Sequence, residues 1–154
     1  MVIAPRILVD ADACPVKEEI YKVAFRHEVK VTLVTNQHLR VPPHPLIERI
    51  TVGAGFDAAD DWIAEATAAD AVVVTTDILL ADRCLKAGAA AVISPTGKPF
   101  TDASIGGAVA TRAIMADLRA GMGDAVGGPA PFSKTDRSRF LQALDVALVK
   151  LSRR

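Results

Sequence analysis

The chain has 154 residues, 51% hydrophobic and 23% charged, with 18 Lys and Arg against 18 Asp and Glu. This composition excludes a disordered tail, a collagen-like repeat and a strongly basic nucleic-acid coat, and a chain of about 150 residues can bury enough surface to fold without metal or disulfide staples. The net charge of zero hides a segregation: Ile50 to Asp82 carries seven acids and no Lys or Arg, whereas Lys134 to Arg154 carries six bases and two acids.

A run rich in Val and Ile at Arg6 to Val9 predicts a first buried strand. Pro15 suits the first turn of a helix, where its missing N–H would be unpaired anyway, and Val16, Ile20, Val23 and Ala24 then share one face. Val29 to Thr35 is the second strand, followed by an ordered loop from Asn36 to Pro45 that holds three prolines. Arg49 to Val52 is the third strand, and Phe56 to Ala69 is a helix through Ala59, Trp62, Ile63 and Ala66. Ala71 to Thr75 is the fourth, and Ile78 to Ala87 is a helix with Gly88 as its stop. Ala90 to Ser94 completes the strands. Helices follow at Ser104 to Arg119 and Asp136 to Leu151, joined by Gly121 to Ser133, whose four glycines and two prolines read as a flexible connection. This alternation predicts a single α/β domain over residues 1–154, three-layered and Rossmann-like, with a mainly parallel sheet of about five strands.

Cys14 and Cys84 stand alone, with no zinc-type spacing, which points to a reducing cytoplasm. Aspartates as early as Asp10 and Asp12 argue against a secretory leader, and no uncharged apolar run approaches the roughly 18 residues of a membrane span. A cytoplasmic protein without membrane association is expected. The oligomeric state stays open, since alanine-rich helices suit a homodimer face as well as internal packing.

Ligands of open parallel sheets bind outside the carboxyl ends of the strands. Asp10 and Asp12 follow the first strand, in DADACP, and Asn36, Gln37, His38 and Arg40 follow the second. Gly53 and Gly55 follow the third, with Asp57, Asp60 and Asp61 opening the next helix. Thr75, Thr76 and Asp77 close the fourth, and Ser94, Thr96 and Lys98 the fifth. Carboxylates massed at one edge raise one another's pKa unless a cation neutralises them, and hard oxygen donors suit Mg²⁺ or Mn²⁺ rather than zinc. A single acid at such a junction is an ordinary helix cap, which is the simple reading of Asp57, Asp61 or Asp82 alone. A helix uses one cap, so the pair Asp10 and Asp12 points to function. Cys14 reads as a packing residue, and His27, His38 and His44 show no metal spacing.

Three constellations compete. GAGFDA at Gly53 to Ala58 has the form of a dinucleotide turn, but Asp57, Asp60 and Asp61 occupy the helix end that a pyrophosphate needs, which rejects it. ILVDAD resembles the strand-end motif of haloacid dehalogenase-type phosphatases, with Asp10 as nucleophile, yet the lysine such enzymes place between their later motifs is missing from Ile50 to Asp82. A PIN-like nuclease needs only strand-end carboxylates holding one or two Mg²⁺ or Mn²⁺ ions, which Asp10, Asp12, Asp57 or Asp60, and Asp77 supply. Lys134, Arg137 and Arg139 would then reach the phosphate backbone.

VDADACPVK, the NQ loop with its prolines, VGAGFDAADDWI, VVVTTDILLAD, SPTGKPFT and GGPAPFSKTDRSRFLQALD together resemble the YaiI/YqxD family of uncharacterised bacterial proteins over nearly the whole chain. The family is placed near PIN-like domains, which implies the α/β fold and carries Asp10, Asp12, Asp57, Asp60 and Asp77 over as site positions. The resulting expectation is a divalent-metal-dependent nuclease or phosphodiesterase acting on RNA. Asp10, Asp12, Asp60 and Asp77 would be catalytic, with Asp10, Asp12, Asp57 and Asp77 as ligands of Mg²⁺ or Mn²⁺. Asn36, Arg40, Lys98, Arg137 and Arg139 would contact substrate. The alternatives are the phosphatase and a non-catalytic module that binds nucleic acid or protein.

Overall fold

The computed structural model describes residues 4–53, 55, 57–122 and 132–153. β1 (Arg6–Asp10) leads through a 3-10 turn (Ala11–Ala13) to α1 (Lys17–His27), β2 (Lys30–Thr35), β3 (Ile47–Thr51) and α2 (Ala58–Ala66). β4 (Ala71–Val74), α3 (Ile78–Lys86), β5 (Ala91–Ile93), β6 (Pro99–Phe100), α4 (Asp102–Met122) and α5 (Lys134–Ser152) complete the chain. The six strands lie in the order β3-β2-β1-β4-β5-β6. All neighbours pair in parallel except β6, which runs antiparallel to β5.

Burial on both faces explains why the central strands β1 and β4 read as apolar runs, whereas the edge strand β3 carries Glu48 and Arg49. All four residues of β4 are buried. Side-chain alternation divides them between two cores. Ile7, Val9, Val31, Leu33, Val72 and Val74 face Ile20 and Val23 of α1 and Phe140, Leu144 and Leu148 of α5. Leu8, Val34, Val73 and Val92 face Ile63 of α2, Leu80 and Cys84 of α3 and Ile105 of α4. The result is the three-layered, Rossmann-like α/β arrangement the alternation predicts. Each fully buried Val, Leu or Ile contributes about 1.5 to 3 kcal/mol, so these two seams hold the sheet between its helices.

Several boundaries differ from the sequence expectation for identifiable reasons. The sixth strand is missed because it begins at Pro99, which has no N–H for a ladder and is tolerated only at an edge. The last helix starts before Asp136 because Ser133 caps it: the Ser133 hydroxyl accepts the Asp136 N–H at 3.1 Å, and the Asp136 carboxylate accepts the Ser133 N–H at 3.0 Å. α1 begins after Pro15, with its first amide bond from Ile20 to the Val16 carbonyl at 3.0 Å. The stretch Gly121 to Ser133, expected as a flexible connection, lies largely outside the described residues; Gly121 and Met122 end α4.

Two helix ends take left-handed residues. Gly88 closes α3 with φ 91°, as its place after Ala87 predicts, whereas Glu28 closes α1 with φ 55° without the freedom of a glycine. In the β5 to β6 turn, Gly97 has φ 86° and lies against α5 so closely that a Cβ would stand 2.6 Å from the Arg139 carbonyl carbon. Among the described residues no helix is long and apolar enough to cross a membrane.

Candidate functional site

The strand order turns around at β1, with β2 and β3 on one side and β4, β5 and β6 on the other. In doubly wound sheets the crevice for ligands opens at the carboxyl ends of the two strands where the order reverses, here β1 and β4. Asp10 is the last residue of β1 and shares the parity of Leu8, which faces α2 and α3. Its Oδ2 accepts the hydroxyl hydrogen of buried Thr75, just beyond β4, at 2.9 Å. The Thr75 Oγ1 also accepts the Asp77 N–H at 3.0 Å, so one hydroxyl locks the end of β4 to both acids.

Asp77 is the N-cap of α3. Its Oδ1 accepts the N–H groups of Leu79 at 2.9 Å and Leu80 at 3.3 Å, the ordinary way to satisfy a helix start. Asp57 stands at the N-cap position of α2 without a side-chain capping bond, and Asp60 lies in the first turn of that helix. Asp57, Asp60 and Asp77 line one cavity of about 340 Å³, together with Leu79, Leu80, Arg83 and Arg112. No lysine is among those lining residues.

The charges at this edge disfavour one another. The Asp60 carboxyl is pushed up from 3.8 to about 6, first by burial and then by Asp77, Asp10 and Asp57, with Arg83 opposing. Burial raises Asp10 above its ordinary value; the Thr75 hydroxyl works against that rise, and Asp77 and Asp12 add to it. Two helix N-termini and the Arg83 guanidinium therefore do not neutralise the group. Among the described residues no three or more His, Cys, Asp or Glu side chains are already arranged to hold a metal ion by themselves.

Asp12 stands apart from Asp10. The 3-10 turn after β1 swings it toward β2, where Oδ1 accepts from the buried Thr35 hydroxyl and Oδ2 accepts the Asn36 N–H at 2.9 Å. Thr35 and Thr75 thus hold the two acids of DADACP on opposite sides of β1, a role their sequence positions do not announce. Asn36 meets Asp12 through its backbone.

None of Asn36, Arg40, Lys98, Arg137 or Arg139 lines the acidic cavity. The guanidinium of Arg137 bonds the Pro15 carbonyl at 2.9 Å and Glu19 at 3.1 Å, and lies 4.9 Å over the Phe132 ring. It ties α5 to α1 and is not spare. Arg139 is 3.8 Å from Asp136 and packs its backbone on Gly97. Lys98 is exposed in the turn after β5, and Arg40 is exposed in the loop after β2. The Gly53 and Gly55 segment follows β3, the strand at the edge of the sheet, rather than the β1 to α1 turn where a dinucleotide fingerprint belongs. Sequence reasoning missed both arginines of the cavity, Arg83 from α3 and Arg112 from α4.

The fold and this edge define a class: a three-layered, Rossmann-like α/β protein with an acidic crevice at its switch point. The family model described as the uncharacterised bacterial YaiI/YqxD family matches residues 8–150, and the chain belongs to that family. It is 74% identical over 150 residues to a UPF0178 protein of Sphingopyxis alaskensis, covering 97% of each chain. A UPF0178 protein of Rhodopseudomonas palustris, RPA2191, is 60% identical over 149 residues, which are 97% of this chain and 93% of the relative. The UPF0178 protein bll3966 of Bradyrhizobium diazoefficiens is also 60% identical, over 97% of this chain and 88% of its own length. No solved structure matches the chain.

Proposed function

We propose that this protein is a divalent-metal-dependent phosphodiesterase of PIN-like character that acts on RNA in the cytoplasm. The observation that carries the reading is the convergence of Asp57, Asp60 and Asp77 on one cavity, with Asp10 close enough to act on Asp60, whose carboxyl is raised to about 6 first by burial and then by these neighbouring charges. A carboxyl perturbed by burial and by like charges in a cleft is the kind of group that marks a functional site. The donor set is all carboxylate oxygen, which fits Mg²⁺ or Mn²⁺. Asp60 and Asp77, which line the cavity together, would hold the ion, with Asp10 and Asp57 adding negative charge beside them. Mg²⁺ commonly keeps several waters and takes one or two carboxylates together with substrate phosphate, so a closed protein cage is not required. Such an ion, when bound, offsets charge developing on a phosphodiester and lowers the pKa of a bound water.

The chain's own residues have separate tasks. Thr75 orients the Asp10 carboxylate, and the α3 amides fix Asp77 through Oδ1 alone. Asp60, raised to about 6 in the metal-free chain, would be drawn into its charged form by a bound cation, which couples proton release to uptake of the ion. Asp12, held by Thr35 and Asn36, shapes the neighbouring end of β1.

The test is titration calorimetry with Mn²⁺ on the wild type, Asp10→Asn and Asp60→Asn, paired with cleavage of a labelled single-stranded RNA. Binding and cleavage by the wild type, both lost or strongly weakened in the variants, are expected. A wild type that binds neither Mn²⁺ nor Mg²⁺ overturns the reading.

A further inference from the structure

The helix α4 joins the rest of the fold along a narrow seam. Its start is secured by hydroxyl and amide bonds between Thr101 and Ser104, Ile105 is buried in the α3 layer, and Val109 packs against the same core. Ile105, Val109 and Arg112 occupy positions i, i+4 and i+7, one face of a helix. Where the seam would take a third apolar side chain, the sequence has an arginine, and Arg112 lines the cavity with Asp57, Asp60 and Asp77. Among the described residues Arg112 forms no ion pair, although three carboxylates line the same wall. Arg83, the other arginine there, is engaged by Asp61 at 2.9 Å.

A guanidinium presents its N–H donors in a planar fork that matches two phosphate oxygens, which a single ammonium cannot do. We propose that Arg112 grips the phosphate of a single-stranded RNA segment at the mouth of the acidic cavity, as the substrate-binding residue contributed by α4. The inference deepens the functional reading above and rests on it for the choice of polynucleotide phosphate. A cavity of about 340 Å³ is small, which favours one nucleotide of an extended strand over a duplex. The arginine adds a cation to a wall whose other charged groups are Asp57, Asp60, Asp77 and the paired Arg83.

The experiment measures binding of a fluorescent single-stranded RNA oligonucleotide by anisotropy across a salt series, with Mg²⁺ present, for the wild type, Arg112→Ala and Arg112→Lys. Mn²⁺ affinity is measured by calorimetry on the same samples, and a thermal melt confirms folding. Arg112→Ala should weaken RNA binding about 10- to 100-fold, since bonds to charged groups carry about 1.5 to 3 kcal/mol. Its slope of log affinity against log salt should shrink by about 0.7, the value for one phosphate contact on a single strand. Mn²⁺ affinity should stay within about twofold, and Arg112→Lys should recover part of the RNA affinity but not all of it. Unchanged RNA affinity and slope in folded Arg112→Ala overturn the role of Arg112, even where Mn²⁺ binds as expected. A wild type that binds RNA through Arg112 without taking up Mn²⁺ upholds the arginine and overturns the metal reading; a wild type that binds neither overturns both.

Discussion

Asp60 stores a penalty that an isosteric amide removes. Its carboxyl stands at about 6 in the folded chain against an ordinary 3.8, so the folded state holds a proton that the unfolded state has released between pH 4 and 6. Stability therefore falls as pH rises through that window, and the full penalty is present above about pH 6. The shift is roughly two units at about 1.4 kcal/mol each, and because Asp60 is only half-buried, solvent screening trims it to about 1 to 2 kcal/mol. Asp60→Asn should accordingly stabilise the metal-free protein at pH 8 by about 1 to 2 kcal/mol, near 2 to 4 °C in melting temperature per kcal/mol. At pH 4 the two proteins should melt together, since the wild-type carboxyl is then mostly protonated. Thermal melts with chelator at both pH values measure this directly. Added Mn²⁺ should raise the wild-type melting temperature at pH 8 and narrow the gap. A loss of stability in Asp60→Asn at pH 8, or an equal gain at both pH values, refutes the account of the acidic crevice.

Three further outcomes follow from local geometry. Gly97→Ala combines a positive φ with a Cβ placed against the Arg139 backbone, and should cost about 2 to 4 kcal/mol, read as a lower urea midpoint. Glu28→Gly relieves a left-handed residue at the end of α1 and should add about 0.5 to 1 kcal/mol of stability, read as a higher urea midpoint. Arg137→Ala leaves Glu19, whose Oε2 already lacks a partner, buried and unpaired, and should cost about 1 to 3 kcal/mol while RNA affinity of the folded protein stays at the wild-type value. A large loss of affinity with stability intact would return Arg137 to the substrate contacts.

The strands and helices are legible in the sequence wherever burial imposes a period. β4, buried on both faces, reads as AVVV, and α1 repeats Val16, Ile20, Val23 and Ala24. The positions of Asp10, Asp57, Asp60 and Asp77 are legible for a related reason: each ends a strand or starts a helix on the same edge of the sheet. What the sequence conceals are the relations between distant segments. Asp10 and Asp12 look like one pair, since residues two apart in a strand share a face, but the 3-10 turn over Ala11–Ala13 breaks that parity and hands Asp12 to Thr35. Arg137 looks like a free cation because its partner, Glu19, lies 118 residues earlier. Arg112 looks like one more charge on an alanine-rich helix until α4 packs on α3 and aligns it with Ile105 and Val109.

Asp77 serves the crevice and the helix with a single carboxylate. Because the amides of Leu79 and Leu80 both hold Oδ1, the side chain has almost no rotational freedom left to surrender when something binds. The same attachment works in reverse. Fraying of the first turn of α3 would release Asp77 from the acidic edge long before the sheet opened, so the lifetime of that one helical turn sets an upper limit on how long the full set of carboxylates stays assembled. The exchange rates of the Leu79 and Leu80 amides are thus a local clock for the site, and whatever occupies it would slow that clock while leaving the β-strand amides unaltered.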